Sequence, residues 1–205
     1  MMKKNILRIR EFLNELYPNP KCELEYSKDY ELVIAVMLSA QTTDKGVNKV
    51  TRVLFEKYDS LEKLSKANLD DLKEIIRPIG NYNKKSINII EIAKKLLTEF
   101  HGVVPKTHEE LESLNGVGHK TANVVLGELY NIPSLAVDTH VSRVSKRLGL
   151  TTSSDVKIIE QDLMKQFPED EWTKLHKQLV LFGRYNCKAK NPKCLNCKLK
   201  DICNK

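Results

Sequence analysis

Four cysteines, Cys187, Cys194, Cys197 and Cys203, stand in the order C-x6-C-x2-C-x5-C within the last nineteen residues. Thiols spaced this tightly can together enclose a single metal centre, and a loop wrapped on a metal sharply limits the folds open to a chain. Disulfides are one competing use. The chain has five cysteines, an odd number, and its basic Met1-Met2-Lys3-Lys4 start is not followed by an apolar signal stretch. It reads as cytosolic, where structural disulfides are rare. Zinc is the other competitor. It usually takes two short C-x2-4-C pairs on separate arms, and here only Cys194 and Cys197 form such a pair. Iron–sulfur clusters accept four thiolates at varied short spacings, so the spacing favours a cluster over zinc. Cys22 stands apart and reads as a small buried hydrophobe.

The charge around those cysteines indicates what the loop faces. From Cys187 to Lys205 there are six lysines against one aspartate, in a chain of net charge +7 and pI near 9.0. Basic charge gathered at one end points to a polyanionic partner, against the plainer reading of solvated lysines. The longest apolar stretch, Leu32 to Leu38, is too short to span a membrane and reads as a buried helix. The expected location is cytoplasmic and nucleoid-associated.

Helical periodicity dominates the 205 residues, enough for one large or two small domains. Ile6, Ile9, Phe12, Leu13 and Leu16 recur at helical spacing until Pro18 and Pro20 stop them. Further helices are expected over about 29–40, around Val47 to Leu54, around Leu69 to Ile76, and from Ile87 to Leu97. Later ones should run from about Thr107, His119, Asp138, Asp155 and Glu169. Alternating strand patterns are almost absent, so the fold class is all-α. Pro18-Asn19-Pro20 and Asn131-Ile132-Pro133 are the best candidate domain boundaries.

The segment Leu114-Asn115-Gly116-Val117-Gly118-His119-Lys120-Thr121-Ala122 is the second strong signal. Thr107 and Glu110 form a T-x-x-E capping box for a short helix before it, and helix resumes after it. Two glycines this close permit positive φ and clear side chains from the turn. Backbone N–H groups beside a helix N-terminus then form a ready anion site, although an ordinary glycine-rich helix connection fits the geometry equally well. A P-loop does not fit, because Leu114 and His119 occupy the positions where its glycines would stand.

Lys120 falls in the first turn after that hairpin. The helix dipole and partial burial would both make its neutral amine more available, and an amine can attack carbon to form a Schiff base. The competing reading is an exposed lysine touching a phosphate. Asp138 reads as a helix N-cap with Val137 as its staple, a role compatible with catalysis. A helix of about 12 residues is roughly 18 Å long, and residues 131–137 can span up to about 23 Å. Asp138 can therefore return to the end where Lys120 lies and serve a proton relay or a cationic sugar. His140 beside it reads as structural.

With these residues assembled, the chain resembles the endonuclease III family of base-excision DNA glycosylases with lyase activity. The resemblance spans nearly the whole length. It rests on Leu38-Ser39-Ala40-Gln41-Thr42-Thr43-Asp44, the helix–hairpin–helix Leu114 to Ala122, Val137-Asp138-Thr139-His140, Gly183-Arg184-Tyr185 and the four-cysteine loop. It implies a two-domain, all-helical helix–hairpin–helix glycosylase fold with a C-terminal [4Fe-4S] loop. Residues 22–132 would form a six-helix domain, and residues 1–21 with 133–205 the cluster domain, with the active-site cleft between them.

By the same resemblance Lys120 attacks the sugar C1′ and displaces a damaged base. Asp138 assists base departure and the later proton steps, and β-elimination then cuts the strand 3′ to the lesion. Cys187, Cys194, Cys197 and Cys203 bind a structural [4Fe-4S] cluster, and Lys188, Lys190 and Lys193 in its loop suit phosphate contact. Gly116, Val117, Gly118, His119 and Thr121 form the DNA-backbone hairpin. The target base must leave the stack. Gln41 matches a residue inserted into the duplex, and Asn81 stands where the family often has a leucine wedge. An amide unstacks bases less well than an apolar side chain. His119 departs from the commoner arginine or lysine.

The expected substrate is double-stranded DNA bearing oxidised or ring-saturated pyrimidines or abasic sites, bound by a monomer. The competing enzymes are a mismatch-specific thymine or uracil glycosylase and an adenine-DNA glycosylase. The latter usually lacks the lysine at the position of Lys120 and adds a C-terminal recognition domain. From a different class, the chain could be a non-catalytic DNA-binding module with a structural zinc.

Overall fold

A computed structural model describes residues 2–204. They form eleven α-helices and two short 3-10 turns, with no strand among the described residues. The chain divides into two compact units, Cys22–Tyr130 and Met1–Lys21 with Asn131–Lys205. The sequence placed this division at Ile132/Pro133; it falls between Tyr130 and Asn131. No described helix is long and apolar enough to cross a membrane.

The unit Cys22–Tyr130 is built around α2 (Asp29–Leu38), in which every residue after Asp29 is buried. That helix is apolar all round because it is covered on all sides. It packs against α3 (Asp44–Lys57), α6 (Tyr82–Thr98) and α8 (His119–Leu129). Burying each of its large side chains, such as Leu32, Ile34 and Leu38, contributes about 1.5–3 kcal/mol. Around it stand α4 (Leu61–Ser65), α5 (Leu69–Ile75) and α7 (His108–Glu112). The unit thus has seven helical segments rather than six. The unanticipated α4 has five residues, too few for a periodic pattern to register. Cys22 is only half-buried, not the core residue expected.

The second unit assembles α1 (Met2–Leu16), α9 (Thr139–Arg147), α10 (Val156–Gln166) and α11 (Trp172–Tyr185) on a core that includes Ile9, Leu13, Val141, Val144, Leu163, Leu179 and Phe182. Asp138 caps α9 and Asp155 caps α10, each accepting backbone N–H groups. The helix expected from Glu169 begins later. Glu169–Glu171 form a 3-10 turn, and α11 opens at Trp172.

Packing of α11 on α9 depends on Gly183. A Cβ built there would lie 2.9 Å from His140 Cβ and 3.1 Å from Val144 Cγ2. Neither neighbour is the far end of a flexible chain. Gly183→Ala is therefore expected to force the helices apart and cost about 1–3 kcal/mol, read as a lowered thermal midpoint. An unchanged midpoint would show that the contact has slack.

Candidate active site and nucleic-acid interface

The glycine hairpin forms because its apolar residues point inward while its backbone stays outside. Leu111, Leu114 and Val117 are buried, and the Val117 N–H donates to the Leu114 carbonyl at 3.0 Å. Val117 therefore anchors the turn. Thr107 caps α7 as expected, accepting from the Glu110 N–H at 3.2 Å, while its hydroxyl donates to the Glu110 carboxylate at 2.7 Å.

The two glycines have different roles. Gly116 has φ of 80°, and a Cβ on it would lie 2.3 Å from Asn88 Nδ2, an amide buried on α6. It is needed both for its conformation and for its close approach to α6. Gly118 has φ of −108°, so the expectation of positive φ fails there. A Cβ on Gly118 would meet nothing within 4 Å. Its bareness keeps the outer face of the turn open, where a backbone-bound anion can come close. The helix α8 starts there without a side-chain cap, the condition under which helix N-termini bind anions.

Lys120 is the second residue of α8 and is exposed, so the expected partial burial is absent from the chain itself. Thr121 beside it is half-buried. His119, the first residue of the helix, is exposed and directs Nδ1 at Glu112 Oε1, 3.1 Å away. The contact draws the Glu112 carboxyl below its usual range, with a lesser contribution from His108.

Gln41 lies beside the turn that carries Gly80 and Asn81. Gln41 and Asn81 are both exposed and both hold left-handed backbones, with φ of 64° and 60°. A Cβ on Gly80, next to Asn81, would lie 3.9 Å from Gln41 Oε1. Such conformations are uncommon outside glycine and concentrate at ligand-contacting positions. Asn81 is also the N-cap position of α6, though without a side-chain capping bond.

Behind Gln41 lies a residue the sequence did not single out. Lys85, on α6, is buried, and its Nζ donates to the carbonyls of Leu38 at 2.9 Å and Ala40 at 2.7 Å. Burial pulls its pKa down from the ordinary lysine range. A cation at the C-terminal end of α2 satisfies carbonyls that helical bonding leaves open, and it fixes the turn that carries Gln41. Lys85→Met should leave these carbonyls unpaired, at a cost of about 1–3 kcal/mol, and weaken DNA binding through a loosened Gln41 turn. Denaturant unfolding and duplex affinity measure the two effects. Intact stability would show that water takes the lysine's place.

In the other unit, Asp138 is half-buried and caps α9, its Oδ1 accepting from the Val141 N–H at 2.8 Å. His140 has its Nδ1 3.2 Å from an Arg143 guanidinium nitrogen, in keeping with a structural role. Two arginines of α9 hold the start of the cysteine loop. Arg143 donates to the carbonyls of Gly183 at 2.8 Å and Cys187 at 3.2 Å. Arg147 donates to the Lys188 carbonyl at 2.7 Å and reaches Cys187 Sγ at 3.3 Å. At the far end Arg8 of α1 clasps Asp201 and the Lys198 carbonyl. Neither arginine of α9 was found from sequence, because their partners are mainly backbone carbonyls some forty residues away.

The four thiols Cys187, Cys194, Cys197 and Cys203 are not in disulfides. All four line one cavity of about 600 Å³ together with Phe12, Leu148, Phe182 and Pro192. Burial, with the neighbouring thiols adding to it, pushes the Cys197 thiol up. Four soft sulfur donors lining one cavity beside apolar side chains suit a metal–thiolate group. Lys188, Lys190 and Lys193 are exposed on the loop.

The model of the HhH-GPD superfamily of base excision DNA repair proteins matches residues 34–169. Endonuclease III of Bacillus subtilis (strain 168) is 44% identical over 192 residues, covering 93% of this chain and 88% of that protein. Among solved structures, a non-covalent endonuclease III–DNA complex is similar with a TM-score of 0.95 and 43% identity, covering 100% of this chain and 96% of that one. A trapped endonuclease III–DNA covalent intermediate matches with a TM-score of 0.92 and 44% identity, covering 97% and 95%.

Proposed function

We propose a lesion-processing mechanism for this chain on the premise that it belongs to the HhH-GPD superfamily of base excision DNA repair proteins, as an endonuclease III relative. It is a bifunctional enzyme that binds double-stranded DNA, removes a damaged base as a glycosylase, and cleaves the abasic site as a lyase. The observation that carries this is 44% identity over 93% of the chain to an endonuclease III, with a like match to an endonuclease III solved as a covalent intermediate with DNA, combined with a bare hairpin that presents Lys120.

In the proposed sequence the hairpin around Gly116 and Gly118 holds a backbone phosphate, with His119 and Thr121 flanking it. Lys190 and its neighbours Lys188 and Lys193 add sequence-independent attraction. Gln41, with Asn81 on the neighbouring turn, fills the space left when the base is extruded. The neutral Nζ of Lys120 attacks C1′ as the glycosidic bond breaks, and the base leaves with its bonding electron pair. Loss of the amine proton and opening of the sugar ring give an iminium linkage. Removal of a C2′ proton then expels the 3′ phosphate oxygen from C3′, and water releases the enzyme. Asp138 stabilises positive charge developing on the sugar and carries protons in these steps.

The cysteine loop fits a [4Fe-4S] cluster held by Cys187, Cys194, Cys197 and Cys203, a reading supported by four thiols that line one cavity. When bound, such a cluster supplies rigidity, holding the lysine-bearing loop in one shape. The location that follows is cytoplasmic, with the nucleoid.

The substrate class proposed is oxidised or ring-saturated pyrimidines. Duplexes carrying single lesions test it. Excision of a ring-saturated pyrimidine with strand cleavage on the 3′ side is expected. Base release confined to thymine or uracil mismatches, or to adenine, would overturn the assignment.

A further inference from the structure

One group of side chains beside the hairpin takes no part in the bond-breaking steps, although one of its members, His119, flanks the proposed phosphate. His108 opens α7, Glu112 lies one helical turn later on the same face, and His119 opens α8. Their ligand atoms all lie within 4.8 Å of one another. Both histidines aim Nδ1 at the same Glu112 oxygen, from 3.3 Å and 3.1 Å. The imidazole rings stack with centroids 4.8 Å apart and planes 23° from parallel.

We propose that His108, Glu112 and His119 form a zinc site on the outer face of the hairpin. Two imidazole nitrogens and one carboxylate oxygen are a common zinc donor set, with a fourth position left for water. At ordinary zinc–ligand lengths of 2.0–2.1 Å, the edge of a ligand tetrahedron is about 3.4 Å. The two edges that meet at Glu112 already have nearly that length. The third, between the histidines, closes by small rotations of two exposed rings. Exposure of all three side chains, at 40%, 40% and 48%, gives the ion an open path. Zinc suits nitrogen and oxygen donors better than magnesium or calcium, which prefer oxygen alone.

Two features of the chain favour this over a chance surface cluster. The helices α7 and α8 are fixed relative to each other by the buried Leu111, Leu114 and Val117, so the donors are presented in advance. Both histidines also direct Nδ1 at one and the same oxygen of Glu112, so the three donors already converge. Loading would turn a formally acidic group into a cationic one next to Gly118.

Equilibrium dialysis of the purified holoprotein against zinc chloride, followed by metal analysis, tests the site. Wild type should retain one more zinc per chain than either His108→Ala or Glu112→Gln, while all three share the same far-ultraviolet circular dichroism. Zinc held at the cysteine loop is common to the three proteins and cancels in the difference. Loss of the extra equivalent in both variants supports the site. Equal zinc content in all three chains would overturn it.

Discussion

Lys120→Ala is expected to abolish the borohydride-trapped DNA adduct and to slow strand cleavage by roughly four orders of magnitude or more, the scale seen when an enzyme loses its nucleophile. Lys120 lies in the first turn of α8, two residues after the bare Gly118, so a phosphate held at that helix end would bring its sugar to the amine. No side chain caps the helix there. The variant should still fold, because Lys120 is exposed and neighbouring Ala122 and Val125 fill the core. Duplex affinity should fall only modestly and with a shallower salt dependence, as expected for loss of a single phosphate-facing cation. A full-strength adduct from this variant would mean that another amine is the nucleophile.

Asp138→Asn is expected to reduce base release by about 10²–10⁴-fold, the usual contribution of a positioned acid–base group, while leaving folding stability nearly unchanged. The pairing of these outcomes matters because Asp138 caps a helix and is also proposed to act in catalysis. It caps α9 through Val141, and asparagine caps about as well as aspartate. What asparagine cannot do is carry a negative charge beside a cationic sugar or take up a proton. Asp138→Ala removes both functions and should cost about 1 kcal/mol of stability besides the rate. If Asp138→Asn retained full activity while Asp138→Ala lost it, Asp138 would be a cap alone.

Much of the fold was legible because its signals are local. Thr107, Asp138 and Asp155 are short polar residues placed before apolar periodic runs, and each caps a helix. Pro18 and Pro20 end the first helix, which stops at Leu16. Glu169 misled because a run of acidic residues after Pro168 resembles a helix start, yet it supports only one 3-10 turn. The hairpin was readable from its glycines, but not their separate duties. Positive φ at Gly116 comes from the turn, whereas its need for a bare Cα comes from Asn88, a residue on another helix. Lys85 was passed over for the same reason. A lysine within α6 reads as a solvent-facing residue, and only the tertiary fold shows it buried against the end of α2. The left-handed backbone of Asn81 had a signal, since asparagine tolerates that region. That of Gln41 had none. Arg143 and Arg147 carry charges on a short helix whose partners come from distant backbone, a relationship that no spacing rule encodes.

The most direct test is peptide mapping by mass spectrometry after the wild-type enzyme has been quenched with borohydride on a lesion-bearing duplex. The reduced deoxyribose remnant should be found on the Nζ of Lys120, in a peptide spanning the hairpin. A remnant on any other residue, or abasic sites left uncleaved after base release with no adduct, would contradict the proposed chemistry.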